Sequence, residues 1–285
     1  MIKTSNSIAN YTKLCFDVSK KITKNYSTSF YSATKLFDTE TKVAIHSIYG
    51  FVRLADEIVD TFHNFDKVKL LKKFEQDYYD AFRSGICLNP ILNSFQLTVK
   101  KYEIPDVYIR EFLSSMKADL DKKKYVSKSE MDEYIYGSAD VVGLMCLKVF
   151  CKSDLNLFQS LVIPAMRLGS AFQKVNFLRD IKEDTEILER IYFPQLTDKK
   201  IDEITKNEIV ADIEKDFIEA YKGIKKLPSS SKPAVLIAYK YYFQLMKKIK
   251  KTPASELKNK RIRISDGAKT FIYISTLVKY KLNIM

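Results

Sequence analysis

The chain contains no tryptophan, two histidines, seven glycines and seven prolines in 285 residues. Each shortage removes a class of function. Few glycines and prolines argue against a sheet-rich fold, whose many turns are built from those residues. They also leave nothing from which to make the glycine-rich phosphate loop of a nucleotide-binding fold. Two histidines, His46 and His63, with four cysteines, Cys15, Cys87, Cys146 and Cys151, show no C-x-x-C spacing. That argues against a Cys/His zinc site and against a histidine-dependent nucleophilic triad. Both histidines therefore read as non-catalytic and the cysteines as small core residues. No run reaches the roughly 18 apolar residues of a membrane span, and the stretch from Val141 to Leu147 is broken by Lys148. The N-terminal MIKTSNSIANYTKLCF lacks the apolar centre of a signal peptide. The expectation is a soluble, reduced, cytoplasmic protein.

What the chain does have is positive charge: 48 Lys+Arg against 35 Asp+Glu, a formal net charge of +13. The excess is local. From Tyr221 to Met285 there are 16 basic and two acidic residues, whereas the preceding residues hold 32 basic and 33 acidic. Three readings are open for the basic quarter: a nucleic acid surface, an anionic membrane or substrate, or solvated helix faces serving solubility.

Apolar residues recur at three and four positions and strand-like alternation is rare, so nearly everything reads as helix. The expected helices cover 7–25, 41–62, 66–83, 91–101, 107–119, 130–150, 155–183, 206–226, 231–249 and 265–281. Asn89-Pro90, Ile104-Pro105 and the run from Pro228 to Pro233 punctuate them. No linker separates two domains, so residues 1–285 read as one all-α domain.

Two of these helices carry polar residues where core belongs. On the first, Tyr49, Arg53, Asp56 and Asp60 fall at i, i+4, i+7 and i+11, one helix face. On the second, Gln173, Asn176, Asp180 and Asp184 fall at i, i+3, i+7 and i+11, again one face. Like charges four apart weaken an isolated helix by roughly 0.2–0.5 kcal/mol per pair. A chain that does this twice calls for a cation. Carboxylate and amide oxygens are hard ligands that suit magnesium, manganese or calcium better than zinc. Magnesium commonly accepts one or two carboxylates and completes its shell with water and substrate phosphate. Two such helices face to face would hold metal between them, with a diphosphate as the missing ligand.

These residues resemble the squalene/phytoene synthase family, the head-to-head branch of isoprenoid synthases. Asp56-Glu-Ile-Val-Asp60 resembles its first aspartate-rich motif. Gln173-x-x-Asn176-x-x-Arg179-Asp180-x-x-Glu183-Asp184, closed by Arg190-Ile-Tyr192-Phe-Pro194, resembles its second. Tyr26-Ser27-Thr28-Ser29-Phe30 is similar to the N-terminal flap motif, and Tyr134-Ile-Tyr-Gly-Ser-Ala-Asp-Val-Val-Gly143 to the tyrosine-rich segment of a central helix. Asp140 departs from the pattern, standing where relatives usually have glycine; the diphosphate region, a capping contact and a narrowed channel are its open destinations.

The resemblance implies an all-α isoprenoid synthase bundle around a central cavity. It implies a prenyltransferase that condenses two geranylgeranyl diphosphates head to head, through a cyclopropylcarbinyl diphosphate, to phytoene. Dehydrosqualene or squalene formation from farnesyl diphosphate is the alternative, as is a non-catalytic isoprenoid-binding relative. Magnesium, with manganese as substitute, would sit on Asp56, Asp60, Asn176, Asp180 and Asp184. No NADPH is expected, because no dinucleotide motif or membrane anchor is found. Arg53 and Arg179 would hold phosphate oxygens, Tyr49 and Tyr134 would donate to the diphosphate, and Ser27 would sit at the flap. Gly143, Gln173, Arg190 and Tyr192 complete the expected substrate contacts, with Arg261 and Lys269 (and Arg263, in the segment starting at Lys260) as basic residues near the diphosphates. Phe30, Phe172 and Tyr242 are the candidate ring faces for a carbocation, where a desolvated ring contributes about 2 kcal/mol. Partners expected are the isoprenoid diphosphate and downstream carotenoid enzymes, with no nucleic acid. The basic quarter would favour an anionic surface on the inner membrane face.

Overall fold

The computed structural model describes residues 2–197, 201–259 and 261–282; Lys260 lies outside them. Among the described residues fourteen α-helices follow one another: α1 (Ile2–Tyr26), α2 (Thr28–Thr34), α3 (Thr39–Asp60), α4 (Lys67–Ser84), α5 (Pro90–Tyr102), α6 (Asp106–Asp121), α7 (Lys128–Ile135), α8 (Val141–Cys151), α9 (Leu155–Arg179), α10 (Ile181–Glu186), α11 (Glu203–Ile224), α12 (Lys232–Lys251), α13 (Ala254–Leu257) and α14 (Asp266–Lys281). Among the described residues the β-type pairing is one isolated bridge, Lys124 with Ile191. The all-α expectation holds.

Local chemistry explains the starts and stops. Asp38 accepts from Thr41 N at 2.8 Å to begin α3, and Asn89 accepts from Ile91 N at 3.0 Å with Pro90 in the first turn of α5. Gly85 ends α4 at φ 81, the left-handed region that spares glycine a side-chain clash. Two expected helices are altered. The 155–183 helix breaks at Asp180, which leaves helical geometry at φ −104, ψ 11. The 130–150 helix runs through a π turn at Tyr136–Asp140.

Two glycines seat that π turn. A Cβ on Gly137 would come within 2.0 Å of Ser115 Oγ on α6, and one on Gly169 of α9 within 2.7 Å of the Ala139 carbonyl. Backbone therefore packs where side chains would otherwise separate helices. The stretch Lys128–Cys151 is long and apolar enough to cross a membrane, but most of it is buried inside the bundle. It is the central core helix, packed against α3, α6 and α9. In the same core, the ring of Phe51 of α3 stacks on Phe95 at 3.9 Å and also meets Phe74, Tyr78 and Phe112. α3 and α9 are thus fixed by packing on one face and are free to present their polar stripes on the other.

Candidate active site

A cavity of about 730 Å³ opens between α2, α3, the π turn with α8, α9, α12 and the segment before α14. Its deeper wall is apolar, including Phe37, Val142, Leu161, Leu168, Ile224 and Leu245. One end is polar: Tyr49, Arg53, Asp56, Asn176, Arg179, Arg261, Arg263 and Lys269. A mostly apolar pocket with a few convergent charges at one end fits an amphiphile with an anionic head.

Of the stripe aspartates Asp56 lines that end, Asp180 sits beside it on Arg179 and Arg261, and Asp184 borders a neighbouring space. Burial pushes the Asp56 carboxyl up to about 7, and Asp60 adds to the rise while Arg53 opposes it. Burial likewise pushes Asp184 up to about 8, with Asp180 and then Asp60 adding negative field and Arg190 opposing. Carboxylates from α3 and α10 therefore feel each other across the gap. Arginines screen part of the charge. Arg179 Nε donates to both Asp180 oxygens at 2.9 and 3.1 Å, and Arg261 Nε reaches Asp180 Oδ1 at 2.7 Å. Arg190 Nη1 donates to Asp60 Oδ1 at 2.7 Å. Arg53 pairs with Glu57 and lies over the Tyr26 ring at 4.4 Å, leaving its Nε buried without a partner. The Asn176 Oδ1 is also buried without a partner. Among the described residues no three metal-ligating side chains stand close enough to cage an ion alone.

Aromatic rings line the polar end. Phe30 stacks on Tyr49 at 5.1 Å, and Phe172 on Tyr242 at 3.9 Å. Ser27 accepts from Phe30 N at 3.3 Å and so caps α2, the short helix that covers the cavity beside Tyr49. Gly143 lies on the cavity wall, where a Cβ would approach the Ala165 carbonyl to 3.0 Å.

The family model for squalene/phytoene synthase matches residues 23–267. The chain belongs to the squalene/phytoene synthase family. It is 29% identical over 280 residues to phytoene synthase 1, chloroplastic, of Zea mays, covering 91% of this chain and 67% of that one. It is 30% identical over 189 residues to the phytoene synthase of Arthrospira platensis, covering 63% of this chain and 60% of that one. It spans about two thirds or less of these two relatives. A crystal structure of a dehydrosqualene synthase superposes with a TM-score of 0.79 at 21% identity, over 95% of this chain and 98% of that one. Squalene synthase HpnC from Alicyclobacillus acidocaldarius superposes with a TM-score of 0.72 at 19% identity, over 84% of this chain and 94% of that one. These solved structures share the fold.

Within this squalene/phytoene synthase chain several expected contacts are placed differently. Tyr134 does not face the large cavity. Its hydroxyl donates to Asp119 Oδ2 at 2.7 Å, which removes it as a free donor to a diphosphate. Tyr192 stacks on Phe177 at 3.9 Å and accepts from Arg190 Nη1 at 3.3 Å, again off the cavity wall. Gln173 is not among the lining side chains. Arg190 is buried, with Asp60, Tyr192 and the Asp119 carbonyl as acceptors. Together with Asp184 and Tyr192 it borders a second, smaller space of about 320 Å³ behind the aspartates. Asp140 is not on the cavity wall, and its carboxyl feels the charges of Asp216, Arg167 and Lys174.

Sequence reasoning missed Asp119. It is 5% exposed, and burial raises its carboxyl to about 7 against the pull of Arg190 and Tyr134. Its signal was available: Phe112, Met116 and Asp119 fall at i, i+4 and i+7 on the buried stripe of α6, a carboxylate in line with core residues.

Proposed function

We propose that this chain is a prenyltransferase that condenses two geranylgeranyl diphosphates head to head to phytoene, releasing diphosphate. The observation that carries the reading is the approach of two aspartate stripes beside the polar end of a mostly apolar cavity. The donor set fits magnesium: hard carboxylate oxygens, and the buried, unpartnered Asn176 Oδ1 beside them. Asp56, Asp60, Asn176, Asp180 and Asp184 would hold it. When bound, magnesium supplies a Lewis acid that draws charge from the leaving diphosphate.

The side chains do the rest by binding and exclusion. Arg53, Arg179, Arg261 and Lys269 hydrogen-bond the phosphate oxygens, arginine in a fork geometry. To do so, Arg179 and Arg261 release part of their hold on Asp180. Phe30, Tyr49, Phe172 and Tyr242 turn ring faces to the allylic cation that forms when the first C–O bond breaks. The double bond of the second substrate attacks that cation, a proton leaves, and a cyclopropylcarbinyl diphosphate results. Loss of its diphosphate, rearrangement and a last proton loss give the linear hydrocarbon with a conjugated triene at its centre. α2 excludes water, which would otherwise quench the cation. The protein acts in the cytoplasm.

Purified protein incubated with magnesium and geranylgeranyl diphosphate, without NADPH, should yield phytoene by mass. Product only from farnesyl diphosphate would move the reading to dehydrosqualene or squalene formation. No hydrocarbon from either would overturn it in favour of a binding role.

A further inference from the structure

Asp119 stands in the last turn of α6 and is not among the residues lining either cavity. It is a buried carboxyl that the proposed chemistry leaves unused. Its Oδ2 accepts from the Tyr134 hydroxyl at 2.7 Å, whereas its Oδ1 is buried with no hydrogen-bond donor. An asparagine would serve Tyr134 as well, since an amide oxygen accepts the same bond. What a carboxylate adds is negative charge, and a buried charge is costly without a partner of opposite sign. The partner is Arg190, whose Nη1 lies 3.9 Å from Asp119 Oδ1.

Arg190 is itself buried and serves two carboxylates. The same Nη1 donates to Asp60 Oδ1 at 2.7 Å, and Nη2 donates to the Asp119 carbonyl at 2.8 Å. The chain around it is clamped: Tyr125 N donates to the Ile191 carbonyl at 3.0 Å and Ile191 N to the Lys123 carbonyl at 2.8 Å. The rings of Tyr125, Tyr134 and Tyr192 pack on one another at 4.9–5.6 Å, and two of their hydroxyls bond Asp119 or Arg190. The guanidinium is therefore held in place beside Asp60, whose charge in turn reaches Asp56 and Asp184. Arg190 and Asp60 alone would cancel. Lys67, the first residue of α4, feels both of them, so among these three positive charge would prevail. Asp119 restores the balance.

Taking Asp60 as a magnesium ligand, as the proposed function does, we propose that Asp119 is a positioning residue of the cation site: it shares Arg190, so that the guanidinium orients Asp60 without neutralising it. Groups behind a metal ligand commonly fix it in this way, and their loss typically lowers metal affinity about 10- to 100-fold.

Calorimetric titration of inorganic pyrophosphate into the full chain, repeated over a range of magnesium concentrations at pH 8, reads the metal requirement without turnover. That pH lies above the value of about 7 to which burial raises Asp119, so the carboxyl is ionised. Asp119→Asn should keep its circular dichroism and its pyrophosphate affinity at saturating magnesium, yet need about 10- to 100-fold more magnesium to reach the midpoint. Tyr125→Phe removes a buried, unpartnered hydroxyl from the same cluster and should leave the midpoint unchanged. Lys67→Gln, at a partly exposed position, should move the midpoint to lower magnesium, and added to Asp119→Asn should recover part of the loss. A wild-type midpoint in Asp119→Asn, or an equal shift in Tyr125→Phe, would overturn the positioning role and leave the proposed function standing. Where Asp119→Asn does not fold, an unchanged midpoint in Lys67→Gln has the same force. A wild type that does not bind pyrophosphate, or binds it independently of magnesium, would overturn the cation assignment and this role with it.

Discussion

Buried charge flanks helix α9 on two sides, and the two groups are settled in opposite ways. On the α11 side, Lys174 is 3% exposed and donates to Asp212 at 2.5 Å and Asp216 at 2.8 Å, with Ser170 donating to Asp216 at 2.9 Å. Burial acts against the charges there, yet the hydrogen bonds win: Asp212 is held below its usual value and Lys174 above. On the cavity side, burial and like charge prevail, and Asp56 rises despite Arg53 and Asp184 despite Arg190. One cluster is internally satisfied and pins α9 to α11. The other is left short of positive charge, which is what a site awaiting a cation and an anionic ligand requires.

The sharpest break of this comparison is by substitution. Asp56→Ala and Asp180→Ala should each lower turnover about a thousandfold or more while leaving circular dichroism and melting temperature near wild type. Lys174→Met should do the reverse, costing about 3 kcal/mol in denaturant unfolding because Asp216 stays buried with Ser170 and the half-exposed Arg167 but without its buried cation. Its KM should stay close to wild type in protein that remains folded. Asp184→Asn separates stability from function on the cavity side. A carboxyl whose native pKa lies near 8 destabilises the metal-free fold progressively as pH rises from about 4, its unfolded value, to about 8. The asparagine variant should therefore gain about 1–2 kcal/mol of stability at neutral pH and above, less in acid, while losing activity. Smallest is Asp140→Gly. The Asp140 Oδ1 is buried without a partner, so removing the carboxylate should change stability by about 1 kcal/mol or less and leave product length unaltered.

The helices were legible because apolar periodicity is a local signal, and each expected segment is helical in the structure. What periodicity could not show is short or tertiary. Helix α2 has seven residues, too few for a pattern, although Ser27 three residues before Phe30 is a readable cap. The break at Asp180 has no proline or glycine to announce it. The π turn depends on Gly137 and Gly169 meeting α6 and the Ala139 carbonyl, contacts between elements far apart in sequence. The aspartate stripes were legible for the same reason as the helices, since charge on an apolar face stands out. Which hydroxyls are spent internally was not. Tyr134 and Tyr192 sit in the motif whether they point at a ligand or at Asp119 and Arg190, and only packing distinguishes the two.

The Arg190–Asp60 pair joins residues 130 positions apart. Arg190 also holds the Asp119 carbonyl at 2.8 Å, so three helical neighbourhoods close on one guanidinium. Closing a loop of that length is paid in chain entropy before the contact returns anything. The polar end of the cavity is accordingly expected to assemble after the helices that carry it, and its backbone amides to exchange with solvent earlier than those around Phe51. The part of the molecule richest in facing charges is thus the part expected to fold last.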